Sequence, residues 1–408
     1  MDDTPANLQV LAGMLKDRGY KVRPVPSGKL ALLAAQRDPP DLILLDINMP
    51  VMNGYQVCEQ LKADDRLQSI PVIFISALTE ELDKVKAFAF GGVDYITKPF
   101  QMEELHARVE THLKLSRLQS ALEDSNARLA KANDRMSRDL QAAARIQETF
   151  LPRAAPEIPG LEFAWIYRPC DELAGDGLNI VSLGDRKVGL YILDVSGHGV
   201  ASALLSVTLS RLLSPLSDPS SILITNRDKG DGFDITQPVE VAARLNRLFP
   251  FDSVTEQFAT LVYGVLDGAV GEFHYVSAGH PGPVHLPRDA DPVILESDGF
   301  PISMADEVYA ERSVCLGAGD RLYLYTDGVT EALDPVGQQF GDARLLSAIS
   351  QGRSETLQQS IAILLEQIAR WQGTEKSHDD VSIVAAEVTI PPGKAESHVA
   401  FRMHPLAR

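Results

Sequence analysis

Tyr191-Ile192-Leu193-Asp194-Val195-Ser196-Gly197-His198-Gly199 is the stretch on which the reading of this chain turns. Its apolar run predicts a buried strand, an aspartate stands at the strand end, and the glycines mark a tight turn. A lone carboxylate at such a place is costly to bury. Three other aspartates share the setting: Asp176 in Leu173-Ala174-Gly175-Asp176-Gly177, Asp327 in Tyr323-Leu324-Tyr325-Thr326-Asp327-Gly328, and Asp379 in Asp379-Asp380-Val381-Ser382-Ile383. Four carboxylates meeting in one place would be offset by divalent cations, which favour oxygen ligands. That is the ligand set of a two-metal hydrolase.

Working outward, residues 151–390 read as one large unit. Strands are predicted at 161–167, 188–194, 258–266, 272–277, 321–326 and 381–388, and helices at 200–213, 238–249, 342–350 and 355–371. Strands and helices come in blocks, which predicts antiparallel sheets flanked by helices. Residues 214–236, with Pro215, Pro219, Gly230 and Gly232, read as a long surface loop, and residues 391–408 as a loose tail.

Residues 113–150 read differently. Neither Pro nor Gly occurs from Gln101 to Phe150, and Leu115, Leu122, Leu129, Met136, Ala143 and Phe150 recur every seven residues. Leu118, Ser125, Ala132, Asp139 and Ile146 form a second seam, broken by Ser125 and Asp139. The pattern fits a long helix in a two-stranded coiled coil, and hence a homodimer, or a solitary amphipathic helix. Pro152 and Pro156 stop it.

Residues 1–112 alternate predicted strands (22–25, 42–45, 72–75, 95–97) with predicted helices (7–18, 29–36, 55–63, 81–90, and one from 102). Alternation of this kind means a parallel sheet covered on both faces, with ligands at the carboxyl ends of its strands. Asp46 and Ser76 stand at such ends, Asp2 and Asp3 precede the first helix, and Lys98 precedes Pro99, where a cis peptide is allowed. Acids, a hydroxyl and a lysine together can bind Mg²⁺ and a phosphoryl group.

The N-terminal pieces, Asp2-Asp3, Asp46-Ile47-Asn48-Met49-Pro50, Asn53-Gly54, Ser76-Ala77 and Asp94 through Phe100, resemble a two-component receiver domain of flavodoxin-like α/β fold. The resemblance implies that Asp46 is the phosphoacceptor and that a sensor histidine kinase is a partner. It implies that Asp2, Asp3 and the Asn48 carbonyl hold Mg²⁺, and that Ser76 and Lys98 read the phosphoryl group. Receivers carry an apolar strand before the acid pair, where this chain has only Met1. Either the start lies too far downstream or the receiver is damaged; we take the first, because every later motif is intact, and expect the 408-residue form to phosphorylate poorly.

The C-terminal pieces resemble PPM-type serine/threonine phosphatases of the SpoIIE/RsbU class. They are Arg145-Ile146-Gln147-Glu148, Leu151-Pro152, Tyr167-Arg168-Pro169, Ala174-Gly175-Asp176, residues 194–199, Ala278-Gly279-His280-Pro281, residues 325–329 and Asp379-Asp380. The resemblance implies an αββα sandwich with two Mn²⁺ or Mg²⁺ ions between its sheets. Asp176, Asp194, the Val195 carbonyl, Asp327 and Asp379 would be the ligands, with Asp380 behind them. It also implies in-line attack by water without a phosphoenzyme, on a phosphorylated anti-sigma factor antagonist of the STAS type. His198 and His280 are read as turn residues rather than acids in the chemistry. Asn179 replaces an acid common in the family, keeping an oxygen but losing its charge.

Composition bounds the rest. A net charge of −18 argues against nucleic acid and anionic membrane. The apolar runs are too short to span a bilayer. Cys58, Cys170 and Cys315 lie far apart, as in reduced cytoplasmic proteins, and Met1-Asp2-Asp3 gives no sign of a signal peptide. The sequence therefore predicts a response regulator whose output is a metal-dependent phosphatase. The rival reading is a catalytically weak adaptor that holds a partner under receiver control.

Overall fold

The computed structural model describes residues 1–77, 81–214, 221–226, 233–251, 253, 256–305, 308–373 and 379–390, with only the backbone at 81–84. It divides into two compact units, Met1–Arg135 and Met136–Arg408.

The first unit holds α1 (Pro5–Lys16), α2 (Gly28–Arg37), β1 (Ile43–Asp46), α3 (Gly54–Lys62), β2 (Val72–Ser76), α4 (Glu81–Ala89), β3 (Asp94–Thr97) and the start of α5 (Met102–Gln147). The strands form one parallel sheet in the order β1-β2-β3. All five residues of β2 are buried, as a strand covered on both faces requires. Its alternate residues divide between two cores. Ile73 and Ile75 pack with Leu11, Leu15, Leu105 and Val109, whereas Val72 and Phe74 pack with Val57, Leu61 and Ala87. Asn53 starts α3 with a capping box, its side chain accepting from Gln56 N–H while Gln56 answers to the Asn53 backbone.

Residues 22–25 correct the sequence reading, because they form no strand. A strand needs a hydrogen-bonded neighbour, and among the described residues the sheet stops at β1. There Met1 alone lies alongside: its ammonium donates to Leu44 O at 2.6 Å and its carbonyl accepts from Asp46 N at 2.9 Å. Val22 instead borders a cavity of about 470 Å³ that Leu11, Leu15, Leu42 and Leu44 also line.

The second unit contains β4 (Leu161–Arg168), β5 (Gly177–Gly184), β6 (Lys187–Val195), α6 (Val200–Leu212), β7 (Ile224–Asn226), β8 (Phe233–Ile235), α7 (Pro238–Leu248), β9 (Ala259–Asp267), β10 (Glu272–Ala278), β11 (Val284–Leu286), β12 (Val293–Ile294), β13 (Arg312–Cys315), β14 (Arg321–Tyr325), α8 (Gly341–Gln351), α9 (Leu357–Gln372) and β15 (Val381–Val388). Two five-stranded antiparallel sheets run in the orders β13-β10-β9-β6-β5 and β12-β11-β14-β15-β4.

Period-two burial stacks these sheets between helices. On β6, Leu190 and Ile192 enter the apolar layer between the sheets, while Tyr191 and Leu193 face the core under α6 and α7. On β14, Leu322 and Leu324 face inward, while Tyr323 and Tyr325 pack with Leu345, Ile361 and Leu364 of α8 and α9. Thr356 and Gln359 form a capping box at the start of α9, and Gly373 ends it in the left-handed region at φ 68°. The result is the αββα sandwich expected of a PPM phosphatase fold.

Part of the expected surface loop is structured. β7 and β8 pair within it, and Ile222 and Leu223 are buried in the α6–α7 core. Apolar side chains at its ends can join that core, which a count of polar and breaker residues does not register. Pro215, Pro219, Gly230, Gly232 and the expected tail at 391–408 lie outside the described residues. Along α5 the heptad residues Leu115, Leu118, Leu122, Leu129, Met136 and Ile146 are exposed in this single chain. Among the described residues no helix is long and apolar enough to cross a membrane.

Candidate active site

In the first unit, the carboxyl end of the sheet gathers the expected group. Asp46 ends β1 and is buried, as is Asp2. Lys98 Nζ lies 2.8 Å from a carboxylate oxygen of each. Oxygens of Asp2, Asp3 and Asp46 fall within 4.8 Å of one another. Ser76 is buried at the end of β2, and Asn48 N–H reaches an Asp46 oxygen at 3.4 Å. Burial pushes the Asp46 carboxyl above its usual range, and Lys98 offsets that only in part. Burial acts the same way on Asp2, but Lys98, the Thr4 N–H and Asn7 outweigh it and hold its carboxyl low. The Lys98–Pro99 peptide is cis, as its sequence allows.

In the second unit, the four aspartates come together where the sheets meet. Asp194 continues the inward face of Leu190 and Ile192 along β6, so its carboxylate stands at the edge of the inter-sheet layer. The loop carrying Asp176 packs directly against it. A Cβ on Gly175 would lie 2.8 Å from the Val195 carbonyl oxygen and 3.4 Å from an Asp194 carboxylate oxygen. On the other sheet, a Cβ on Gly328 would lie 2.0 Å from Asp380 O and 3.4 Å from Asp379 Cβ. Asp327 and Asp379 are thereby brought side by side. The Thr326 hydroxyl bridges the halves, donating to Asp176 Oδ2 at 3.0 Å while accepting from Ser382 N at 3.1 Å.

Burial sets the electrostatics, and mutual repulsion adds to it. Burial, then Asp194 and Asp380, hold the Asp176 carboxyl well above its usual range. Burial together with Asp327, Asp379 and Asp380 pushes Asp194 up to about 7. Burial and Asp379 push Asp327 up to about 6, and burial raises Asp379 as well. Among the described residues no Lys or Arg forms an ion pair with Asp176, Asp194 or Asp327. Exposure grades from buried Asp176 to exposed Asp379, so the centre opens on the Asp379 side.

Asp380 stands behind this group, with both oxygens engaged by backbone: Cys170 N at 2.8 Å and Gly175 N at 2.7 Å. It ties the Asp176 loop to the opposite sheet. The Cys170 thiol lies among the acids, and burial followed by Asp380 pushes it up to about 12. His198 is an exposed turn residue 3.8 Å from Asp171. His280 is buried, and burial holds its pKa down at about 4. Asn179 turns away from any ligand role, its amide donating to Phe150 O at 2.9 Å and its oxygen accepting from Ile180 N.

Three contributors escaped the sequence reading. Gly175 matters for its lack of a side chain. Thr326 could have been found, because it continues the inward face of Leu322 and Leu324, where a polar residue needs a partner. Gln147, at the end of α5, pairs its side-chain amide with the Ala174 backbone, Nε2 to O at 2.7 Å and N to Oε1 at 3.3 Å. No local pattern announces that contact.

Comparison with known proteins agrees with the fold. The model of the family described as stage II sporulation protein E (SpoIIE) matches residues 184–389, and that of the response regulator receiver domain matches residues 1–110. The response regulator PleD of Caulobacter vibrioides is 38% identical over 146 residues, 36% of this chain and 31% of that protein. The DNA-binding dual master transcriptional regulator RpaA of Synechocystis is 39% identical over 114 residues, 28% of this chain and 47% of that protein. This chain thus spans a third to a half of the length of these relatives. The SiaA-PP2C domain of Pseudomonas aeruginosa shares the fold at 18% identity, with a TM-score of 0.53 over 63% of this chain and 99% of that one.

Proposed function

The chain belongs to the stage II sporulation protein E family and carries a receiver domain ahead of its PP2C-like domain, and we propose that it is a metal-dependent phosphoserine/phosphothreonine phosphatase controlled by phosphorylation at Asp46. The observation that carries the reading is the convergence of Asp176, Asp194, Asp327 and Asp379, each with its carboxyl pushed upward.

The residues fit a divalent metal. The donors are all oxygens, burial and their mutual repulsion raise the carboxyls, and hard cations match that set. Asp176, Asp194, the Val195 carbonyl, Asp327 and Asp379 would hold two Mn²⁺ or Mg²⁺ ions. Such ions, when bound, supply positive charge to phosphoryl oxygens and a nucleophilic water at neutral pH. The chain's own contribution is placement. Thr326 orients Asp176, Asp380 anchors the loop behind it, and the exposed Asp379 side admits a phosphorylated side chain.

The receiver pocket fits Mg²⁺ by its clustered oxygen donors, with Asp2, Asp3 and the Asn48 carbonyl as ligands, Asp46 as phosphoacceptor, and Ser76 and Lys98 at the phosphoryl oxygens. A sensor histidine kinase would supply the phosphoryl group. The start of α5 is tied to β3 by Arg108 and His112, which lie 2.6 Å and 3.1 Å from Asp94. Its end carries Gln147. Phosphorylation at Asp46 would change the packing of the helix start, and the Asp176 loop would respond through Gln147. The exposed heptad face fits pairing with a second copy of the chain. The substrate class is a small anti-sigma factor antagonist of the STAS type. The test is hydrolysis of a chromogenic phosphate ester, and of phosphorylated STAS proteins, with Mn²⁺. Turnover by wild type that is lost in Asp194→Ala and Asp327→Ala supports the reading. Partner binding without turnover would favour the adaptor.

A further inference from the structure

We infer that His280 is a positioning residue: its imidazole is a strut between the two sheets that fixes the spacing of the aspartates across the centre. The inference rests on the phosphatase reading above and adds a residue that lies outside the acid cluster.

His280 follows β10 and is 2% exposed. Gly279, at φ 68°, makes the turn that carries it inward, and a Cβ there would lie 2.4 Å from Pro301 Cγ. The ring reaches both sheets. Nε2 lies 3.0 Å from the carbonyl oxygen of Tyr325, the last residue of β14 and two before Asp327. Nδ1 lies 2.7 Å from Thr260 Oγ1 on β9, in the sheet that carries Asp194. Thr260 is the register partner of Asp194 in the β6–β9 ladder.

The partners fix the proton. A backbone carbonyl only accepts, so Nε2 carries the hydrogen and donates to Tyr325 O. In the neutral ring Nδ1 is then an acceptor, and the Thr260 hydroxyl donates to it. The backbone of His280 is also held, because its carbonyl oxygen accepts from Ser277 Oγ at 2.9 Å. One rigid ring thus links the residue opposite Asp194 to the strand end that leads into Asp327. Apolar packing alone would leave that spacing free to relax. Removing the strut should loosen the centre without removing any of its aspartates.

The experiment is calorimetric titration of the full chain with MnCl₂, with folding checked by circular dichroism melting. His280→Ala and Thr260→Val are expected to weaken Mn²⁺ binding by about tenfold or more, as losses behind metal ligands do, and Thr260→Ser to restore it. Their double variant is expected to be no worse than His280→Ala alone, since both remove one strut. A folded His280→Ala with wild-type Mn²⁺ affinity overturns the inference. If His280→Ala does not fold, Thr260→Val decides: unchanged affinity overturns the inference, and weakened affinity rescued by Thr260→Ser supports it. Wild-type protein that takes up no Mn²⁺ overturns the phosphatase reading and this inference with it.

Discussion

Raising the pH of the metal-free chain from about 4 to about 8 should cost it stability through Asp194. In the folded protein burial and the neighbouring acids push this carboxyl from 3.8 up to about 7. The sign follows from linkage. Below the unfolded pKa both states are protonated and nothing is lost. Between the two pKa values the unfolded chain has released its proton and the folded chain has not, so stability falls by about 1.4 kcal/mol per pH unit. Above the folded pKa the penalty is constant. The span corresponds to about 4 kcal/mol, an upper bound because Asp327 and Asp379 share the same repulsion. Asp194→Asn removes the titrating group and should be relatively more stable at high pH. The assay is urea unfolding in EDTA across this range, with wild type and Asp194→Asn compared at each pH. A difference that grows with pH and levels off near neutrality is expected, and Mn²⁺ should reverse it for wild type only. A pH-independent difference would refute the reasoning, because it would mean that Asp194 ionises in the fold as freely as in water.

Other expectations follow from the same geometry. Thr326→Val keeps the shape but strips the hydroxyl from Asp176 and Ser382 N–H, and thermal or urea unfolding should show a loss of about 2 kcal/mol. Gly328→Ala places a methyl where Asp380 O already lies, so the chain should lose about 2 kcal/mol or more and bind Mn²⁺ poorly by calorimetry. In the receiver, Asp46→Asn should abolish labelling by an acyl phosphate. Lys98→Ala leaves buried Asp2 and Asp46 without their shared cation and should destabilise the first unit by about 3 kcal/mol, read by urea unfolding.

Much of this was legible in the sequence, and for identifiable reasons. An apolar run ended by an acid and followed by turn residues locates Asp46, Asp194 and Asp327, since burial on both faces leaves the strand end as the place for charge. β5 was missed because Gly177 and Asn179 interrupt its apolar character, although β6 pairs along it from Gly177 to Gly184. Residues 22–25 have strand composition yet form none, because strand formation depends on a neighbour and not on composition alone. The four acids, and Asp380 behind them, could be named one by one, but not the contacts that support them. Asp380 holds backbone N–H groups more than two hundred residues away, at Cys170 and Gly175, and Gln147 holds Ala174. Those contacts belong to the packed fold and leave no period or spacing in the chain.

The most direct test of the central claim is calorimetric titration of the purified chain with Mn²⁺ beside Asp194→Ala and Asp327→Ala. Uptake by wild type of two ions besides any held in the receiver pocket, those two lost or sharply weakened in each variant together with phosphate-ester hydrolysis, is the predicted result. Mn²⁺ binding and turnover indifferent to both substitutions would contradict it.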